Sequence, residues 1–475
     1  MKDRLSNRIM YREATLIFIN RLFITLCLVV TTYLFAHRLP QHQYGIYQNF
    51  WTQFNTLFAI SGLGIASFIF SYTPQKVVQI FKSLSKKRLG VGISLILASA
   101  IVFGLMQKNA GLSLVWTSTF LILNTLSLLS DSFLIIFKRF RIMLLINFLY
   151  FIGFVALHYY CLSQPYMDFN LLFQLLSGLS LCKVLVSFLI FKNEFGQVSN
   201  EHLSDKKHLH LWMHLFVFDL IQIFFSYSDK FIVSLLAPAA TSAVYINGTY
   251  PIPFIPIIFS AVSSAALMQF NNMEDNHENQ ISILNRTGRA LSTVVFPVFF
   301  YFLFFRNEFI VFYFSDKYLA SVPIFFVSLF MLPFKAFNFT MLFRKREKGS
   351  IINKGAIVDI SSLLVFVGPC YYFLGLKGIP LSFVLATLMQ AGYYMIYHQK
   401  ILESKWYHIL PIQDWIKKII IFGGASFFLH WLFIDFMQFS GILSLTLALT
   451  IIILIAIAFL FQELNFFSKN KFSKK

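Results

Sequence analysis

The chain has 475 residues, 57% of them hydrophobic and only 12% charged, with 60 phenylalanines and a formal net charge of +19. Soluble domains carry about a quarter charged residues, so this composition excludes a water-soluble fold and makes lipid the solvent. The basic excess sits in short connectors between apolar runs. That is the topogenic pattern of a membrane protein, not the footprint of a nucleic-acid binder.

Apolar stretches able to cross ~30 Å of hydrocarbon at ~1.5 Å per residue follow one another along the whole chain. They are expected near 14–36, 46–72, 89–107, 112–137, 142–162 and 171–191, then near 211–237, 244–270, 290–314, 321–343, 355–375 and 379–397. A last pair lies near 419–435 and 441–462. The first stretch is long enough to span, so Lys2, Arg4, Arg8 and Arg12 ahead of it read as a cytoplasmic flank and not as a cleavable leader. Cys27, Cys161, Cys182 and Cys370 all fall in apolar segments and are expected to be small core residues, neither a disulfide framework nor a metal set.

Lysine and arginine test this reading. Connectors 1–13, 73–88, 138–141, 192–210, 271–289, 344–354, 398–418 and 463–475 hold 30 of the 39, whereas the alternate loops hold only Arg38, Lys108, Lys317 and Lys377. Such strict alternation implies an even number of spans with both termini cytoplasmic. The loops are also short, so no outer loop is large enough to carry the catalytic groups of an envelope polymerase or ligase. No catalytic constellation is read among the 11 histidines, most of them assigned to loops (His202, His208, His210, His398, His408), and no cofactor is expected.

The expected fold is therefore an all-α polytopic membrane protein of about fourteen transmembrane helices, divided six, six and two. Residues 1–192 would form an N-terminal six-helix bundle, 193–210 a cytoplasmic linker, 211–400 a C-terminal six-helix bundle, and 401–475 an extra helix pair with a basic tail. Because six is even, the bundles would share one orientation as a parallel pseudo-repeat. A short match supports this: Leu34-Phe35-Ala36 leads to Tyr44-Gly45-Ile46-Tyr47, and Leu235-Leu236-Ala237 leads to Ala243-Val244-Tyr245.

Polar residues within the spans point to a cavity. At ~100° per residue, Asp219, Gln222, Ser226, Asp229 and Lys230 of the seventh span share about a 100° arc. Thr117, Asn124, Ser127 and Asp131 share a face of the fourth span, Arg21, Thr25 and Thr32 one of the first, and Gln48, Asn49, Thr52, Asn55 and Thr56 one of the second. A charged group at mid-bilayer costs ~2.5–3.5 kcal/mol on insertion scales, so such groups face a partner or water. Arg21, Asn55, Asn124, Asp219, Gln222, Asp229 and Lys230 are the expected substrate-binding residues. Blander roles compete: Asp229 and Lys230 as interfacial groups, Asp131 paired with Lys138 at the inner surface, Lys183 and Lys335 snorkelling. Pro251, Pro253 and Pro256 predict a kink in the eighth span.

Four stretches carry a family likeness: Leu39-Pro40 with Tyr44-Gly45-Ile46-Tyr47; Ser61-Gly62-Leu63-Gly64-Ile65-Ala66 through Tyr72; Ser228-Asp229-Lys230-Phe231-Ile232-Val233 with Tyr245; and Phe314-Ser315-Asp316-Lys317-Tyr318-Leu319-Ala320. In their order and spacing the chain resembles the polysaccharide flippases, the O-antigen and capsule (Wzx-type) exporters of the multidrug/oligosaccharidyl-lipid/polysaccharide superfamily. The resemblance implies a V-shaped pair of six-helix bundles around a central cavity, with the final helices outside it. It implies a bacterial inner-membrane transporter that turns undecaprenyl-diphosphate-linked oligosaccharide to the outer leaflet by alternating access. H⁺ or Na⁺ would be a possible coupling cation, with membrane lipids as the surroundings and no nucleic-acid partner. It also places Arg306-Asn307-Glu308 at the outer interface, with 309–314 an interfacial segment. Two other readings stand beside it. An ion-coupled antiporter of cationic drugs would need unpaired carboxylates in the cavity, and a membrane-embedded polysaccharide enzyme would need a large outer loop.

Overall fold

The computed structural model describes residues 2–196, 205–252, 255–271, 276–346 and 348–472, and at some of these, Arg21 among them, the backbone alone. Every regular element among them is helical, as an apolar solvent demands: a helix satisfies its backbone polar groups within itself. The chain gathers into two compact units, Met1–Ala243 and Val244–Lys475.

The first unit contains α1 (Lys2–Arg38), α2 (Gln41–Ser61), α3 (Ile65–Ile69), α4 (Pro74–Ser83), α5 (Lys86–Lys108), α6 (Leu114–Ile136), α7 (Phe140–Leu162), α8 (Phe169–Gly196) and α9 (Asp205–Leu236). Its apolar side chains face outward as well as inward. α5 exposes Leu89, Val91, Ile93, Leu97, Ile101 and Leu105 while burying Ser99 and Gln107. Aromatic side chains fill the centre: the ring of Phe50 stacks on that of Phe173 at 3.7 Å, and Phe54, Phe103 and Phe120 close around them.

The second span is broken. Leu63 and Gly64 both adopt left-handed backbone, φ 50° and 62°, which ends α2 and restarts the chain as the five-residue α3. The Ser61–Ala66 stretch singled out in the sequence is this break. Between it and α5 runs α4, opened by Pro74 at its first turn; its Val77, Val78 and Ile80 are buried, and its Lys82 is exposed.

α10 (Ala239–Gly248) straddles the boundary between units. The second unit continues with α11 (Ile255–Asn271), α12 (His277–Phe304), α13 (Arg306–Phe314), α14 (Val322–Leu329), α15 (Met341–Lys345), α16 (Gly349–Leu374), α17 (Gly378–Leu402), α18 (Trp406–Ile409), α19 (Ile412–His430) and α20 (Gly441–Phe472). α16 and α17 form a tight hairpin: the Tyr394 hydroxyl donates to the Ile352 carbonyl at 3.0 Å and Gln390 donates to the Gly355 carbonyl at 3.2 Å. The last helices are fastened along α12. Asn285 donates to the carbonyls of His408 and Ile409 at 2.8 and 3.0 Å. Farther along, the Lys418 ammonium is held by Asp414 at 2.7 Å and by the Arg289 carbonyl at 2.8 Å, and the Tyr301 hydroxyl donates to the Leu445 carbonyl at 3.0 Å.

Helices occupy all fourteen expected positions. Ten segments among the described residues are individually long and apolar enough to cross a membrane, and Gly349–Leu402 counts once although it holds both α16 and α17. The second and eighth expected spans are broken into shorter helices, at 62–64 and after Gly248, and the first counts only from Leu22. The eighth span's proline kink is realised as the gap between α10 and α11; Pro253 lies outside the described residues.

The expectations for the histidines and for one cysteine need correction. His398 is not in a loop but buried in α17, its Nδ1–H donating to the Tyr394 carbonyl at 2.8 Å. His208 and His210 likewise lie in α9 and His408 in α18, while His202 lies outside the described residues. Cys182 is exposed rather than in the core, unlike Cys27 and Cys161.

Candidate functional site

The most buried charges of the first unit form one lattice across α1, α6, α7 and α8. Lys183 donates to Asp131 Oδ2 at 3.0 Å and to Asn147 Oδ1 at 2.6 Å, with its ammonium 5.0 Å from the centre of the Tyr150 ring. Asn147 donates in turn to Asp131 Oδ1 at 2.9 Å and to Asn20 Oδ1 at 2.7 Å. The Tyr150 hydroxyl donates to Asn124 Oδ1 at 3.3 Å and lies equally near Ser180 Oγ. Asn124, a predicted cavity residue, is thus tied into a closed network. The partner of Asp131 is Lys183, not Lys138. Lys183 does not snorkel, because it sits nine residues before Lys192, ~13 Å along the helix, too far from the end for its side chain to reach water.

A second polar group joins α2, α5 and α9. Buried Gln107 donates to Gln53 at 2.6 Å, and Gln53 donates to Ser234 at 3.1 Å. A third lies where α1, α2 and α7 meet. Buried His158 donates from Nδ1 to the Phe154 carbonyl at 2.7 Å, its Nε2 lies 3.1 Å from the Tyr47 hydroxyl, and that hydroxyl donates to Thr31 of α1 at 3.2 Å. The sequence reading named neither Gln53, Gln107, His158 nor the Asn20–Asn147 pair. Single amides and imidazoles in apolar helices carry no signal until a partner is known.

The α9 stripe has a different character. Asp219 is half-buried and accepts from Ser67 of α3 at 2.9 Å. Gln222 is exposed, and Asn55 of α2 is half-buried. Asp229 and Lys230 are paired with each other at 3.6 Å. Of Arg21 only its place on α1 is described, one residue beyond Asn20. The seven expected residues therefore fall into distinct settings: Asn124 in a sealed network, Asp219, Gln222, Asp229 and Lys230 along α9, and Asn55 and Arg21 on α2 and α1.

In the second unit, buried Asp359 of α16 leaves Oδ1 without a hydrogen-bond partner among the described residues. No group of three or more His, Cys, Asp or Glu among the described residues is placed to hold a metal ion.

The family of polysaccharide biosynthesis proteins matches residues 39–323. The chain belongs to this family. As a polysaccharide biosynthesis protein it shares its fold with two solved structures. The first is titled "Lipid II flippase MurJ, inward closed conformation": 15% identity, TM-score 0.64, with 96% of this chain and 99% of that one covered. The second is titled "Crystal structure of MATE in the bent conformation": 12% identity, TM-score 0.50, with 83% of this chain and 94% of that one covered. No curated protein matches. The all-helical, multi-pass membrane fold read from the sequence thus holds for this polysaccharide biosynthesis protein.

Proposed function

We propose that this polysaccharide biosynthesis protein is a flippase. It moves undecaprenyl-diphosphate-linked oligosaccharide from the cytoplasmic to the outer leaflet of a bacterial inner membrane by alternating access, for O-antigen, capsule or exopolysaccharide synthesis. The observation that carries this reading is the family match over residues 39–323 on a chain whose fold extends over 99% of a lipid II flippase. The short outer loops support transport without covalent chemistry. The topology is fourteen crossings with cytoplasmic termini, and the chain divides into halves 1–192 and 211–400 with 401–475 appended.

By what it touches, α9 sits in the first compact unit; by chain order it opens the second half. Arg21, Asn55, Asn124, Asp219, Gln222, Asp229 and Lys230 are the proposed substrate contacts, and Asn124 acts among them through the network it shares. A coupling cation, H⁺ or Na⁺, is a proposed partner. The drug-antiporter reading is less well supported, because both carboxylates of the α9 stripe already have partners.

A flippase alters no covalent bond, so its deletion should leave complete lipid-linked repeat units stranded on the cytoplasmic leaflet. Leaflet-resolved lipid analysis of a deletion strain tests this. Single repeat units reaching the outer surface unpolymerised would show a polymerase instead.

A further inference from the structure

The break in the second span is docked on one stripe of α9. The Trp212 indole N–H donates to the Leu63 carbonyl at 2.7 Å. Gly64 lies so close that a Cβ there would come within 2.6 Å of Phe216 Cα. Ser67 donates to Asp219 Oδ1 at 2.9 Å. Beyond α3, the Tyr72 hydroxyl and His208 Nδ1 lie 2.9 Å apart, and the Phe68 ring stacks on Trp212 at 4.6 Å. His208, Trp212, Phe216 and Asp219 are spaced four, four and three residues apart, so they form a single face of α9.

The two partners depend on each other. Ending a helix inside a membrane frees carbonyls that lipid cannot satisfy, and α9 supplies a donor to one of them. Left-handed Leu63 is a conformation that a branched side chain adopts only where its surroundings enforce it, and Trp212 holds its carbonyl.

This docking differs from the Asp131–Lys183 lattice in one respect. The lattice is sealed, whereas Trp212, Asp219, Ser67 and Tyr72 are all half-buried. Half-buried polar contacts can be exchanged for other partners when helices part more readily than a sealed ion pair can. On the proposed topology, α3 is the cytoplasmic end of the second span, in the first half of the chain. The opening turns of α9 are the cytoplasmic end of the seventh span, in the second half. The stripe is therefore a place where the two halves meet on the cytoplasmic side.

We infer that the α3–α9 stripe is a cytoplasmic gate of the transporter, closed in this structure, and that Ser67 is the positioning residue that holds the Asp219 carboxylate while the gate is shut. The inference rests on the flippase reading and its topology. Separation of α3 from α9 would free Asp219 and open a path for a polar head group from the cytoplasm.

Hydrogen–deuterium exchange on the full chain in lipid nanodiscs tests the gate without any substrate. Segment 62–72 should exchange at least tenfold faster than segment 124–134, which carries part of the sealed lattice. Ser67→Ala should speed exchange of 62–72 several-fold further, and Ser67→Thr, which keeps the hydroxyl, should restore the original rate. Exchange of 62–72 as slow as that of 124–134, or untouched by Ser67→Ala, would overturn the gate.

Transport supplies the second arm. Tyr72→Cys and His208→Cys, in a background without native cysteines, are bridged by a thiol-cleavable bismaleimide. Bridged protein should lose transport of lipid-linked oligosaccharide, and reductant should return it. Transport at the unbridged rate would overturn the gate while leaving the flippase reading intact. Absence of transport in the cysteine-free parent, with positions 72 and 208 unchanged and exchange behaving as expected, would instead remove the flippase reading and keep the opening contact.

Discussion

Lys183 and Asp131 meet at 3.0 Å inside the first unit, with side chains only 3% and 9% exposed, and Asn147 bonds to both. A buried pair of this kind is a poor source of net stability but a severe loss when broken, because the survivor is an uncompensated charge. Lys183→Met and Asp131→Leu should each destabilise the protein by ~3–5 kcal/mol. The double variant should lose much less, since no charge is stranded. Thermal unfolding of the four proteins in detergent, taken as a double-mutant cycle, measures the coupling. A double variant as unstable as the worse single one would show that the pair is not the unit.

This lattice marks the boundary of what the sequence discloses. The helices were legible because hydrocarbon imposes long apolar runs and cytoplasmic Lys/Arg, so each expected span coincides with helical structure. The polar faces of the second and fourth spans were legible as periodicity, and Gln48, Thr52, Thr56, Thr117, Asn124, Ser127 and Asp131 are indeed buried. Pairing was not legible. Asp131 has a cation seven residues away in sequence and another 52 away, and only the packing of α6 against α8 selects the second. Nor could periodicity find the break at Leu63–Gly64, since two residues of left-handed backbone hardly disturb an apolar run. The double glycine of Ser61-Gly62-Leu63-Gly64 was the available sign.

Gly45 allows α2 to pass the start of α10. A Cβ at this position would fall 1.9 Å from the Ala239 carbonyl oxygen, and a backbone atom yields less readily than the tip of a side chain. Gly45→Ala should therefore cost ~1–3 kcal/mol or more and lower the amount of protein in the membrane. Gly392 of α17 is the control, since nothing lies within 4 Å of a Cβ there. Gly392→Ala should gain ~0.5–1 kcal/mol from helix propensity. Membrane abundance and melting temperature of both variants separate close approach from a general effect of alanine; equal behaviour would remove the role given to Gly45.

The topology rests on 30 basic residues in one set of connectors against four in the other. In a background without native cysteine, single cysteines in 73–88, in 344–354 and in the C-terminal tail should react with an impermeant maleimide only after the inner membrane is permeabilised. Cysteines at 163–170 and 436–440 should label in intact cells. External labelling of 344–354 would eliminate the fourteen-span arrangement.

Arg21 and Asp219 carry the expectation about charge along the transport path. A diphosphate passing through a region of low dielectric needs a compensating cation, because a bare anion there is prohibitively costly. Arginine suits that role, since it cannot lose its charge by deprotonation and its planar fork grips phosphate oxygens in pairs. Arg21→Lys keeps the charge and loses the fork, so it should impair transport less than Arg21→Ala. At position 219 the Ser67 contact allows a finer division. Asp219→Asn still offers Ser67 an acceptor oxygen but removes the charge, whereas Asp219→Ala removes both. If the carboxylate serves only to hold α3, Asn should transport as the wild type does and Ala should fail. If its charge serves the cavity or a coupling ion, both should fail, at normal abundance in the membrane. Surface glycan and protein abundance must be measured together for all four variants. Full glycan display by Arg21→Ala at normal abundance would take Arg21 out of the site. Parallel loss of glycan and protein would assign both residues to holding the bundle together.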